Sequence, residues 1–206
     1  AISAIAAVEE WTDTEAGEGD YRITHGYIHM LEHLAHSADV RLNTVVARIV
    51  WGDSGVRVET RQGEAFQGEA AIITLPVGVL QSGTVAFEPP LPTEKQATIR
   101  ALRMGAGMKL VFCFDVPVLQ KRIGAYYSPL NPPMIWSPSP AHAVRGQVIT
   151  CFVTGDYARS LQALGETGAL DAALHTLKTE LGRPDLRPSA ARWINWTEDP
   201  YALGAY

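Results

Sequence analysis

Long apolar runs, clustered positive charge and paired cysteines are all scarce in this 206-residue chain, and each scarcity closes off a class of protein. The longest apolar stretches, such as Ala70 to Leu75, fall far short of the roughly 20 residues a membrane-spanning helix needs. Lys and Arg number 17 against 22 Asp and Glu, a net charge of −5. No basic cluster offers the phosphate-binding surface that nucleic acid demands. Two cysteines cannot build a disulfide framework, nor a zinc site without other ligands. With 47% hydrophobic and 19% charged residues, a buried core is expected and disorder is not. Catalytic fingerprints are scarce too: there is no G-x-S-x-G elbow and no dinucleotide-binding glycine pattern. Gly105-Ala106-Gly107 precedes a strand rather than a helix, so it cannot present helix-terminal amides to a phosphate.

The chain opens on AISAIAAVEEW without an initiator Met, a basic leader or a cleavage site, and reads as the last turns of a helix. It stops at Tyr206 with no polar tail, so both ends are expected to be cut.

In between, hydrophobic periodicity alternates between helical and extended. Ile28, Leu31, Leu34 and Ala35 predict an amphipathic helix over Tyr27 to Ala35. Val40 to Trp51 and Val56 to Thr60 read as strands around a Gly52-Asp53-Ser54-Gly55 turn. A second turn at Gln62-Gly63 leads to Ala70–Pro76, an apolar run of the kind buried on both faces of a sheet. Thr93, with Gln96 at the capping-box position, predicts a helix through Leu102 after the extended EPPLP. Met108 to Phe114 alternates, with Met108, Leu110, Phe112 and Phe114 facing one way and Lys109, Val111 and Cys113 the other. Tyr127 to Pro140 reads as loop with at most one short strand, and Gln147 to Gly155 as strand. Asp156 can cap a helix ending near Gly165, and leucines at 170, 174, 177 and 181 mark another ending at Gly182. This is a mixed α+β order without the strict alternation of a doubly wound sheet.

Three groups of residues could carry chemistry. Lys109 shares its strand face with apolar neighbours, where burial disfavours charge, the route by which lysines become catalytic. The alternative is a packed stem with its head in water. The tail RWINWTEDPYALGAY holds Trp193, Trp196, Tyr201 and Tyr206, which suit stacking on a planar ligand or caging an amine, or simply filling core. His25, His29, His33 and His36 fall at helical spacing. Without an HExxH pattern, exposure outweighs metal binding for them, and no metal is expected.

These segments together resemble the flavin-containing amine oxidase family of monoamine oxidases, polyamine oxidases and lysine-specific histone demethylases. HGYIHMLEHLA is similar to the family's Gly-Tyr segment and short helix, and RLNTVVARI to the strand whose valine meets the adenine of FAD. ITLPVGVLQ, VAFEPPLP, MGAGMKLVFCFD and WTEDPYALGAY follow in the family's order, nearly end to end. The resemblance implies that Val46 offers its backbone to the adenine and that Lys109 holds a water against flavin N5. It implies that Trp196 packs against the flavin ring and that Tyr206 forms one wall of an aromatic cage for a neutral amine. Ala205 stands where monoamine oxidases carry the cysteine that bonds flavin, so FAD would be held non-covalently. His25 replaces the usual Asn or Gly before the Gly-Tyr pair, and Val116-Pro117-Val118 replaces the usual Phe-Trp.

The implied activity is oxidation of an amine to an imine by hydride transfer to flavin, with O2 reduced to H2O2. The implied arrangement is a partial FAD-binding domain (1–83), a substrate-binding domain (84–190) and a return segment (191–206). The partners would be a small-molecule amine and the N- and C-terminal segments of a longer parent, or a second chain supplying them. The chain alone is then not expected to bind FAD appreciably or to be active. The alternatives are an L-amino acid oxidase, with Arg122 and Arg145 as candidate carboxylate ligands, a non-catalytic binding or assembly module, and a split-enzyme subunit. A cytoplasmic setting is favoured.

Overall fold

The computed structural model describes residues 23, 26–119, 125–138 and 146–205. The chain divides into two units, Ala1–Leu42 and Asn43–Tyr206. In the first, Gly26 at φ 84° leads into helix α1 (Tyr27–Ala35), as the spacing predicts. On α1, His29 Nδ1 lies 3.4 Å from Glu32 Oε2. Among the described residues no group of three or more His, Cys, Asp or Glu is placed to hold a metal ion.

The second unit carries two sheets. The four-stranded one runs β3-β2-β1-β4, formed by β1 (Val46–Gly52), β2 (Gly55–Thr60), β3 (Ala65–Gly68) and β4 (Ala86–Glu88). Gly55, at φ 111°, makes the tight β1–β2 turn, a backbone region that L side chains seldom enter. Arg48, on the central strand β1, pairs with Glu59 of β2 and Glu88 of β4, linking its two neighbours by charge. Since β4 lies within 84–190, this sheet draws on both expected domains.

The apolar run Ala70–Pro76 is not the strand buried on both faces that its composition predicts: it has no strand structure, with Ile72 94% exposed, and the strand after β2 is β3, which starts five residues earlier. Among the described residues no strand lies opposite it: β3 ends with Gly68 paired to Val56, one residue from the start of β2, and neither sheet takes in the run. A strand exists only where a partner satisfies its amides, whatever its propensity.

Helix α2 (Val77–Ser82) ends on Gly83 at φ 67°, the left-handed cap position. Helix α3 (Thr93–Ala101) starts on the residue expected to cap it: Pro92 is the N-cap and Thr93 the first helical residue. Gln96 Nε2 donates to Leu91 O at 2.6 Å, outside the capping-box geometry. At the other end Gln81 Nε2 donates to Ile99 O and Leu102 O, satisfying carbonyls that a helix terminus leaves open.

The five-stranded antiparallel sheet runs β6-β7-β8-β5-β9, from β5 (Gly107–Phe114), β6 (Ala125–Tyr127), β7 (Met134–Trp136), β8 (Gln147–Thr154) and β9 (Ala190–Asn195). Helices α4 (Gly155–Gln162) and α5 (Gly165–Glu180) cover one face. Met108, Leu110, Phe112 and Phe114 point there and are at most 2% exposed, as the alternation predicts. They meet Ile149, Cys151 and Val153 of β8, with Ala169, Ala173 and Leu177 of α5 in the same core. The small residues of α5 let the helix lie close on the sheet, so Leu170, Leu174 and Leu181 flank the contact while Leu177 is buried. Burying each large side chain is worth about 1.5–3 kcal/mol.

Candidate active site on the open face of the five-stranded sheet

Alternation along β5 sends Lys109, Val111 and Cys113 to the face opposite the helices, where all three are half-buried. Lys109 is paired with Phe152 of β8 and Ile194 of β9, and Met134 of β7 lies opposite Phe152. Its Nζ sits 5.3 Å from the ring centre of Trp196 and 5.9 Å from that of Trp136. Trp136 meets Phe152 edge-on with ring centres 6.0 Å apart. One amine nitrogen is thus held between two indole faces, each within cation–π range, on a floor of apolar side chains.

Backbone bonds place Trp196. Its amide donates to Gly107 O at 3.3 Å, and its carbonyl accepts from Gly204 N at 2.9 Å. Gly105 and Ala205 exchange two bonds of 2.8 Å, and Asp199 Oδ1 accepts from Tyr201 N to start the turn between. The tail therefore loops out after Trp196 and returns to the strand entering Lys109. Glycine makes the approach possible: a Cβ on Gly107 would stand 2.6 Å from Ala205 Cβ, and one on Gly78 2.4 Å from Leu203 O.

A cavity of about 360 Å³ opens at the other side of that loop, with Val46, Arg61, Leu75, Val79, Pro200 and Tyr201 in its wall. The register between β1 and β2 shifts between Val46 and Arg48, at the strand's start. Valines, Tyr201 and the Arg61 guanidinium share this lining and could hold a flat heteroaromatic ring and an anionic group attached to it. The residues present fit the adenine end of a flavin dinucleotide.

Over residues 1–206 the sequence matches the profile of the family described as flavin containing amine oxidoreductase. The chain belongs to that family. It is similar to polyamine oxidase 4 of Oryza sativa subsp. japonica, 28% identical over 97% of this chain and 41% of the relative. Polyamine oxidase 2 of Arabidopsis thaliana is 29% identical over 95% of the chain and 40% of its own length. Lysine-specific histone demethylase 2 of Homo sapiens is 27% identical over 91% of the chain and 24% of its own. Among solved structures, an A394C mutant of putrescine oxidase superimposes with TM-score 0.75 at 18% identity, covering 90% of this chain and 42% of that one. The chain thus spans about two fifths of the polyamine oxidases it matches. Membership implies a flavin cofactor and an α+β substrate-binding part, and the relatives' names do not favour the L-amino acid oxidase alternative.

Of the expected site residues in this family member, Lys109 and Trp196 are in contact, and Val46 lines the cavity bounded by Pro200 and Tyr201. Tyr206, His25, Arg122 and Arg145 lie outside the described residues. The tail aromatics divide: Trp193 packs on the helix-side core, its Nε1 3.2 Å from Met108 Sδ, while Trp196 flanks Lys109. Trp136 and Phe152 escaped the sequence reading. Trp136 sits in β7, inside the Pro- and Ser-rich stretch read chiefly as loop; the Met134-x-Trp136 alternation was its one signal.

Proposed function

We propose that this chain supplies the lysine, one aromatic wall and the adenine contact of an FAD-dependent amine oxidase. Residues beyond this chain complete the cofactor and substrate sites. The observation that carries the reading is the Lys109 amine between Trp196 and Trp136 on an open, half-buried apolar face. When bound, FAD supplies the redox chemistry, accepting hydride from the carbon bearing the amine and passing the electrons to O2 to give H2O2.

The chain's residues orient and desolvate. An amine must be unprotonated to release hydride from its α-carbon, and an aromatic, apolar wall favours that neutral form by disfavouring the ammonium. Trp196 offers a flat face for the flavin ring, and Val46 a strand backbone for the adenine. Lys109, flanked by its two indoles, would hold a water by hydrogen bond beside the flavin. Tyr206, one residue past the Ala205 bridge, forms a cage wall for the substrate nitrogen. Ala205 has no nucleophile, so attachment is non-covalent. The imine formed leaves and hydrolyses to an aldehyde or ketone.

Lys109→Met in the FAD-loaded parent tests this by stopped-flow absorbance. Reoxidation or reduction of the flavin should slow at least about tenfold. Unchanged rates for both would remove Lys109 from the mechanism and favour a non-catalytic module. Separately, the isolated chain should not bind FAD tightly; a tight one-to-one titration would show that no outside segment is needed.

A further inference from the structure

Trp196 lies one residue past the end of β9, so the indole beside Lys109 is carried by a turn rather than by the sheet. Asn195, the last residue of β9, governs that turn. Its carbonyl accepts from the Glu198 amide at 3.3 Å, closing four residues with Trp196 and Thr197 at the centre. Its Oδ1 accepts from the Thr197 amide at 3.1 Å, the Asx-turn bond in which a side chain stands in for a backbone carbonyl. The closing bond and the bond from the Trp196 amide to Gly107 O are both longer, at 3.3 Å.

The two neighbours sit on opposite faces. Asn195 stands opposite Met108 in the β5–β9 register, and Met108 is fully buried beneath the helices, so the asparagine belongs to the covered face. Trp196 reaches Lys109 on the open face. The asparagine nitrogen takes no part: Nδ2 is buried without a partner among the described residues, which is a cost to the fold. The oxygen alone makes the contact.

We propose that Asn195 is a positioning residue, whose side-chain oxygen fixes the turn that sets the Trp196 ring against Lys109. These contacts lie within this chain and need no segment beyond it; their consequence for flavin and amine rests on the amine oxidase reading. Without the oxygen, Trp196 keeps the long bonds and the one from Gly204 N to its carbonyl, and the indole gains freedom to leave the lysine. A supporting residue of this kind sets how exactly a bound ring is oriented.

The first test needs no flavin. In the FAD-free parent, acetylation by an N-hydroxysuccinimide ester is read by peptide mass spectrometry, with Lys95, exposed on α3, as internal reference. Asn195→Ala should raise labelling of Lys109 at least about threefold, because one of its two covering indoles is loosened. Asn195→Ser, whose hydroxyl can bond the amide two residues on, should bring it back to within about twofold of wild type. In the FAD-loaded parent, Asn195→Ala should shift the flavin absorption bands and slow flavin reduction at saturating amine about three- to tenfold, with Asn195→Ser recovering both. A drop in urea stability with labelling and flavin bands unchanged would make the residue merely structural and overturn the proposal. Should Asn195→Ala not fold, hydrogen exchange in wild type decides. The Thr197 amide, outside both sheets, should exchange at least about tenfold more slowly than an open turn amide, and free exchange overturns the proposal. If labelling responds as expected but the wild-type parent oxidises no amine, the positioning stands and the oxidase reading fails. If the parent oxidises amines and Asn195→Ala changes neither labelling nor flavin, the reverse holds.

Discussion

Gly107 ties the fold to the site, and replacing it with alanine gives a prediction that can be worked from the coordinates. It opens β5, and its carbonyl receives the Trp196 amide. A Cβ built there meets Ala205 Cβ at 2.6 Å, whereas ordinary contact begins at 3.4 Å, so the tail must retreat by about 0.8 Å. The next neighbours, Thr154 Cγ2 at 3.8 Å and Val153 O at 4.0 Å, are undisturbed, so the conflict is with one methyl group. Overpacking of this kind costs about 1–3 kcal/mol. Removing that methyl group removes the conflict: in an Ala205→Gly background, Gly107→Ala should cost no more than about 0.5 kcal/mol. The coupling between the two positions is then about 0.5–3 kcal/mol, from the upper edge of the scatter for independent sites to well beyond it. Urea unfolding of the four proteins of this cycle measures it, and an unchanged midpoint slope confirms that only stability has moved. Equal costs of Gly107→Ala in both backgrounds would refute the contact between tail and strand. With it would go the account of how Trp196 is held beside Lys109.

Two further outcomes concern titration and thiol chemistry. The hydrogen bond from Tyr126 to Glu180 raises the phenol above its ordinary value, so its stabilising contribution is complete below about pH 10 and lost as pH rises through the folded value. Tyr126→Phe should flatten that alkaline decline in urea stability; an identical decline in wild type and variant would contradict it. Burial pushes the Cys151 thiol up to about 12, whereas Cys113 is half-exposed on the open face. A disulfide reagent at pH 8 should therefore label Cys113 first and Cys151 only after unfolding; early labelling of Cys151, read by mass spectrometry of peptides, would show that the helix-covered core is open.

Residue pattern by itself determined a good deal. Alternation in Met108–Phe114 fixed which face of β5 is core and which carries Lys109, because side chains on a strand must alternate and only one set is apolar throughout. Turn residues fixed the β1–β2 hairpin, and leucine spacing the existence of α5. Family motifs pointed to Lys109, Trp196 and Val46 before any contact was known. Tertiary structure alone decided the rest. Ala70–Pro76 has every local mark of a buried strand, yet pairing needs a backbone opposite, and among the described residues no strand supplies one. Trp136 and Phe152 reach the lysine through strand neighbours far away in sequence, which no local pattern encodes. The same pairing gathers Lys109 and Arg192 on one face, because a sheet sorts residues by parity and partner rather than by order along the chain.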